Sequence, residues 1–168
     1  SQISFDDNNK GLESVEAILY DNEDRLWIGG RDGLFCYNGI EWKKYPTGNS
    51  LIADCFIHSI EVDKENVVWI TSTAGLTSYN DGEWRLYDKS NSGLIRNILT
   101  DLVIDSSGNK WINQIDNGLA MFNNKENIWK IYDTLNSPLP DNHVMCLAVD
   151  NKGLLWIGTR KGLSSFDG

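Results

Sequence analysis

The feature that most constrains this chain is a tryptophan-centred unit met four times: Leu26-Trp27-Ile28-Gly29, Val68-Trp69-Ile70-Thr71, Lys110-Trp111-Ile112-Asn113 and Leu155-Trp156-Ile157-Gly158. The intervals between these tryptophans are 42, 42 and 45 residues. A fixed period of roughly 40–50 residues is that of an architecture whose unit is one small four-stranded sheet. Such a unit carries apolar residues on both faces and cannot bury them alone, so its copies must stack against one another.

Each copy spells out the same order of turns and strands. Six residues before each tryptophan stands Asp21, Asp63, Asp105 or Asp150, and three residues after each aspartate comes Asp24, Asn66, Gly108 or Gly153. These residue types tolerate positive φ, and an aspartate opening a turn can accept hydrogen bonds from the backbone amides that follow it. A tight hairpin turn is therefore expected at each place. Upstream of it lies a short strand, at 15–20, 57–62, 99–104 and 144–149. Downstream, the tryptophan strand leads to Gly33-Leu34, Gly75-Leu76, Gly118-Leu119 or Gly162-Leu163, a turn into a third strand. Asn38-Gly39 and Asp81-Gly82 then turn into fourth strands at 40–45 and 83–87, and a longer turn at 123–127 leads to a fourth strand at 128–132.

These readings give an all-β chain, a β-propeller of four-stranded antiparallel blades and a single domain over 1–168. The blade repeats fall at about 13–45, 55–87, 97–132 and 142–168. Gln2-Ile3-Ser4-Phe5-Asp6 aligns with Trp84-Arg85-Leu86-Tyr87-Asp88, so the N-terminal strand is expected to complete the last blade, which breaks off at Asp167-Gly168. That phase allows a closed four-bladed ring, two chains forming an eight-bladed ring, or a section of a larger propeller. Trp27, Trp69, Trp111 and Trp156 are expected to fill the gaps between blades, and the four aspartates to hold the turns.

Composition narrows the function. The formal charge of -9 comes from acidic residues scattered among turns, and the 15 Lys and Arg residues are dispersed, so nucleic acid is not an expected partner. No apolar run is long enough for a membrane span and no signal peptide is visible. The first residue is Ser1, which reads as a processed or excised piece. Cys36, Cys55 and Cys146 are odd in number and lie in or beside expected strands, where they read as small buried apolar residues.

No catalytic or metal constellation emerges. His58 and His143 are the only histidines, and neither has a nucleophile or carboxylate at a motif spacing. No calcium loop and no phosphate-cradling glycine loop occurs, so neither metal nor cofactor is predicted. In a propeller the turns between second and third strands and the connections between blades project from one end, where binding residues are commonly placed. That end would carry Arg31, Asp32, Thr71, Ser72, Thr73, Asn113, Gln114, Asp116, Thr159, Arg160 and Lys161, with His58, Arg96 and His143 nearby. These residues vary between copies while the framework repeats, the pattern of a site grafted onto a symmetric scaffold. Along the first strands Glu16, His58 and Asp101 are the polar exceptions facing the axis.

Leu155-Trp156-Ile157-Gly158-Thr159 through Gly162-Leu163 and Phe166-Asp167-Gly168 resembles the two-component regulator propeller repeat, and the likeness extends over the chain. The third copy departs from it, with Asn113-Gln114-Ile115 in place of the usual Gly-Thr. The resemblance implies a periplasmic or extracytoplasmic input region of a polysaccharide-responsive hybrid sensor kinase. Such a module recognises an oligosaccharide or other small ligand and is not itself an enzyme, although a longer parent would carry a histidine kinase. The alternative is a structural or protein-interaction propeller whose blades mediate assembly into a homodimer.

Overall fold

A computed structural model describes residues 14–45 and 55–166. The expected N-terminal strand at 2–6, the loop at 46–54 and the closing turn at 167–168 lie outside the described residues. Fifteen strands in four antiparallel sheets are described. Blade 1 runs β1 (Val15–Tyr20), β2 (Leu26–Gly30), β3 (Gly33–Tyr37) and β4 (Trp42–Tyr45); blade 2 runs β5 (Ile57–Val62), β6 (Val68–Ser72), β7 (Leu76–Asn80) and β8 (Glu83–Tyr87). Blade 3 comprises β9 (Leu102–Ile104), β10 (Lys110–Asn113), β11 (Leu119–Asn123) and β12 (Ile128–Tyr132), and blade 4 β13 (Val144–Val149), β14 (Leu155–Thr159) and β15 (Gly162–Phe166). Within each blade, strands adjacent in sequence are hydrogen-bonded neighbours. The chain is an all-β set of four propeller blades.

The turn chemistry accounts for the repeat. Asp24, Asn66, Gly108 and Gly153 all have positive φ, at 58°, 61°, 85° and 86°. Asp21 Oδ1 accepts from the amides of Glu23 and Arg25, and Asp63, Asp105 and Asp150 do the same in their own turns. The other carboxylate oxygen of each accepts from a tryptophan ring: Trp27 Nε1 to Asp21 at 2.7 Å, Trp69 to Asp63 at 2.8 Å, Trp111 to Asp105 at 2.9 Å and Trp156 to Asp150 at 3.3 Å. One aspartate thus closes the hairpin and satisfies the only polar atom of the residue that fills the gap between blades.

The tryptophans of blades 1, 2 and 3 each face the following blade. Trp27, Leu34, Cys36 and Tyr45 pack on Ile57, Ile60, Val68, Ile70 and Tyr79 of blade 2. Trp69, Leu76 and Tyr87 pack on Leu99, Leu102, Ile112 and Phe122, and Trp111, Leu119 and Met121 on Val144, Leu147, Leu155 and Ile157. The trailing face of one blade, in chain order, therefore meets the leading face of the next. Gly29 sits at such a contact: a Cβ there would lie 2.3 Å from Ile57 Cγ2. Gly29→Ala is expected to destabilise by about 1–3 kcal/mol through overpacking, read as a lower urea midpoint at unchanged m-value.

Three interfaces are formed among the described residues, not four. On the leading face of blade 1, Val15 and Ile18 are 45% and 64% exposed, whereas their counterparts Ile57 and Ile60 in blade 2 are 0% and 5% exposed. On the trailing face of blade 4, Trp156 is 37% exposed while Trp27, Trp69 and Trp111 are buried. Among the described residues the four blades of the β-propeller share three core clusters, and none of these joins blade 4 to blade 1. The same geometry corrects the reading of Cys146, which is exposed because its face has no neighbour, whereas Cys36 and Cys55 are buried. Burial pushes the Cys36 thiol up to about 11. The first strand of blade 3 is also shorter than expected. Leu99 lies before it, and across the end of β10 the Thr100 amide donates to Asn113 O while Asp101 O accepts from the Asn113 amide.

Candidate functional site

The turns joining second to third strands and the connections between blades lie at one end of the propeller, and the expected site residues divide there into an interior set and two surface clusters. Thr71, Ser72, Asn113, Gln114 and Thr159 are buried and do not form the rim expected of them. Ser72 and Thr159 hold their own turns, Ser72 Oγ donating to Gly75 O and Thr159 Oγ1 to Gly162 O. Their position at the very end of a strand turns these side chains back under the turn instead of out to solvent.

The larger cluster joins blades 3 and 4. Asp116, in the turn between β10 and β11, has φ of 61° and pairs with His143, which precedes β13. That hydrogen bond holds the Asp116 carboxyl below the usual carboxylate range, helped by Arg160 and Arg96. Asp141 Oδ1 accepts from the His143 amide at 3.0 Å, which holds its carboxyl low, with Lys161 and Arg160 also contributing. The amide of Arg160 donates to His143 O at 3.2 Å and that of Gly118 to Asn142 O at 2.9 Å, so backbone bonds fix the two loops together. Beneath them, Asn113 Nδ2 donates to Thr100 Oγ1 at 2.7 Å and to Val144 O at 2.9 Å, and Gln114 Oε1 accepts from the Ile95 amide at 2.8 Å. Asn113 Oδ1 and Gln114 Nε2 are buried without a hydrogen-bond partner among the described residues. A buried acceptor and a buried donor left unpaired carry an energetic cost that a bound hydroxyl or water would relieve.

The second cluster lies between blades 1 and 2. The Arg31 guanidinium sits 5.5 Å from the Phe56 ring, which lies 4.4 Å from the His58 ring. Burial lowers the His58 pKa, with Glu16 opposing it. Thr73 Oγ1 accepts from the Phe56 amide at 3.3 Å, and Asp32 is half-buried beside Arg31. Arg31, Asp32, Thr73 and His58 thus share a neighbourhood, separate from that of Asp116, His143, Arg160 and Lys161.

A group absent from the sequence reading stands near the axis. Glu61 on β5 is pushed up to about 7, chiefly by burial and further by the neighbouring Asp101 carboxylate. Burial raises Asp101 also, although its oxygens accept from the amides of Leu102 at 3.0 Å and, across the blade boundary, Leu147 at 2.7 Å. The signal was present in the sequence: Leu19, Val103 and Ala148 occupy the places equivalent to Glu61, so a carboxylate there breaks the repeat. Glu61 lines a cavity of about 520 Å³ together with Lys64, Ser106, Lys125 and Lys152. This cavity opens where the aspartate turns converge, at the opposite end of the propeller from the two clusters.

A carboxyl whose folded pKa lies above its unfolded value binds a proton in the native state that the unfolded chain has already released. Stability is therefore expected to fall as pH rises from about 4.5 to 7 on this account, with uptake of up to about one proton on folding. Glu61→Gln should flatten that slope, as measured by urea unfolding across this pH range. Among the described residues no group of three His, Cys, Asp or Glu side chains is arranged to hold a metal ion. Among the described residues no helix is long and apolar enough to cross a membrane.

Residues 138–161 match the two component regulator propeller family. Among curated proteins none matches the chain. Among solved structures, an extracellular domain assigned to the hybrid two component system BT3049 of B. thetaiotaomicron is similar at 22% identity and a TM-score of 0.80, over 96% of this chain and 23% of that one. A second B. thetaiotaomicron extracellular domain, of the hybrid two component system BT4673, is similar at 16% identity and TM-score 0.54 over 91% of this chain and 29% of that one. Virginiamycin B lyase from Staphylococcus aureus, in a catalytically inactive form with quinupristin, is similar at 15% identity and TM-score 0.69, over 94% of this chain and 58% of that one. This chain therefore spans about a quarter of the length of the two-component relatives.

Proposed function

We propose that this chain is a non-catalytic recognition module of a sensory propeller, acting outside the cytoplasm as the input region of a hybrid two-component system and binding an oligosaccharide. The likeness to two extracellular domains of such systems and the family match at 138–161 support the sensory reading. The observation that carries ligand recognition is the cluster at the boundary of blades 3 and 4. Charged side chains of Asp116, His143 and Arg160 lie at the loop end above Asn113 and Gln114, each of which has an unpaired polar atom. Alternating donors and acceptors of this kind suit hydroxyl groups, each of which donates once and accepts twice. The Phe56 ring beside Arg31 and His58 offers a flat apolar surface for a sugar face in the neighbouring cluster.

The propeller of virginiamycin B lyase establishes that such a scaffold can support catalysis in that protein. Here the axis holds Glu61 and Asp101 without a histidine base bonded to either, and recognition is the simpler chemistry. Calorimetric titration of oligosaccharide pools should release heat with the native chain and little with Arg31→Ala/Arg160→Ala. Silence from every pool would remove direct glycan recognition.

A further inference from the structure

The connections that lead into blades 3 and 4 share one framework and differ in charge. In the first, the Lys89 amide donates to Asn97 Oδ1 at 2.9 Å, and in the second the Thr134 amide donates to Asn142 Oδ1 at 2.8 Å. Asn97 and Asn142 are thus equivalent, which puts Arg96 in the place of Asp141 and Ile98 in the place of His143. Asp141 has a structural task there, since it accepts from the His143 amide. Arg96 has none. It is half-buried, and its guanidinium neither forms an ion pair nor donates a hydrogen bond among the described residues. A cation partly withdrawn from water without a partner carries a cost that nothing in its own loop offsets.

Hydrogen bonds bring that loop to the boundary of blades 3 and 4. Gln114 Oε1 accepts from the Ile95 amide at 2.8 Å, which seats Arg96 beside the turn that carries Asp116. On the blade 4 side, Asn113 Nδ2 donates to Val144 O at 2.9 Å and the Arg160 amide donates to His143 O at 3.2 Å. The turn between β10 and β11 is one residue longer than its counterparts: Gly118 follows Trp111 by seven positions, whereas Gly33, Gly75 and Gly162 follow Trp27, Trp69 and Trp156 by six. In this longer turn Asp116 pairs with His143. Asp141 lies 3.8 Å from Lys161 Nζ. Arg96 and Arg160 act on the Asp116 carboxyl only through their charge, and neither has an ion pair of its own among the described residues. Two guanidiniums are therefore left over at one place, in a chain whose net charge is -9.

We propose that the oligosaccharide received at the boundary of blades 3 and 4 is an acidic one, its carboxylate or sulfate held by the Arg96 and Arg160 guanidiniums; this rests on the reading of the cluster as a glycan site. The planar fork of a guanidinium matches two oxygens of such a group, and a hydrogen bond charged on both sides is stronger than one to a neutral hydroxyl. His143 occupies the one carboxylate that could otherwise close on the arginines, so both stay open to a ligand. An uncharged sugar of the same length leaves the two cations unpaired, and that difference is the source of discrimination.

Calorimetric titration with oligosaccharide pools of matched length is the test: a uronate-containing pool, the same pool after reduction of its carboxylates to alcohols, a sulfated pool and a neutral pool. The uronate or the sulfated pool should bind at least about tenfold more tightly than the reduced and neutral ones, and whichever does so identifies the anion. Arg96→Gln and Arg160→Gln should each weaken that binding about tenfold while keeping the near-ultraviolet spectrum of the native chain. Lys130→Gln, which removes an exposed charge from the outer strand β12, should leave the affinity unchanged. Reduced and neutral pools that bind as tightly as the acidic ones, or acidic binding undiminished in either arginine variant, would overturn the acidic specificity and leave glycan recognition standing. No heat from any pool would remove both.

Discussion

Replacing Trp69 by Ala is expected to lower the free energy of unfolding by about 3–5 kcal/mol, whereas Trp156→Ala should cost only about 1 kcal/mol when measured at a concentration that keeps the chain monomeric. The two residues occupy the same place in the repeat and donate to equivalent aspartates. They differ in what lies beyond them. Trp69 is enclosed between blades, 6.0 Å from both the Tyr87 and Phe122 rings, with the Lys110 ammonium 4.3 Å from its own ring. Its removal leaves a cavity lined on both sides and leaves Asp63 Oδ2 with Lys110 as its remaining side-chain donor. Trp156 covers one side of an uncovered sheet, so water takes the place of the lost ring. Urea unfolding of both variants provides the check, and equal losses would mean that the fourth blade is covered in the monomer.

This contrast marks what the sequence could and could not tell. The tryptophan period, the aspartate that opens each turn and the positive-φ residue three places later all act within one blade, so each copy shows them separately. Whether a given tryptophan is covered depends on the next blade, which local pattern does not describe. The same limit explains Cys146, which reads as buried from its strand and is exposed because its face has no neighbour. It explains too why Leu99 reads as strand: it is fully buried as an apolar contact of blade 2, yet the regular pairing of β9 begins only at Leu102.

The site was legible as an end of the fold, less so as a set of atoms. Asp116, His143, Arg160 and Lys161 come from two blades and approach one another through loops whose closeness follows from blade stacking. Ser72, Asn113 and Thr159 end their strands, where the pleat decides whether a side chain turns inward, and the Ser72 and Thr159 hydroxyls bond back to the backbone of their turns; Thr71 and Gln114 are buried next to them. Glu61 sits in a first strand one residue before its end, where a carboxylate reads as solvated by the turn that follows, and only the stacking of blade 3 against it brings it to Asp101.

The second large effect lies in the blade 2 turn. Asp63→Ala is expected to cost about 3–5 kcal/mol, because it removes one partner of a buried ion pair and three hydrogen bonds together. In blade 1, Arg25 Nε gives Asp21 Oδ2 a second donor at 2.6 Å, and in blade 3 Asn109 Nδ2 does so for Asp105 at 2.9 Å. The corresponding residue in blade 2 is Val67, which has none to give. Lys110 of blade 3, in a place held by Leu26, Val68 and Leu155 elsewhere, reaches across the boundary to Asp63 Oδ2 at 3.2 Å. Burial lowers the Lys110 pKa and Asp63 opposes that shift. Without Asp63 the ammonium keeps only Gly108 O and Asn124 Oδ1, and the Trp69 indole and the amides of Glu65 and Val67 lose their acceptor. A base whose folded pKa is driven below its unfolded value destabilises the fold while protonated, so the Asp63→Ala loss should shrink as pH rises toward the ordinary lysine range. Lys110→Met should cost less, since Asp63 retains three donors. In the double variant part of the Asp63→Ala loss should return, with a coupling of about 0.5–3 kcal/mol in the cycle. Additive losses would show instead that the lysine contributes by filling space beside Trp69 and not by neutralising the carboxylate.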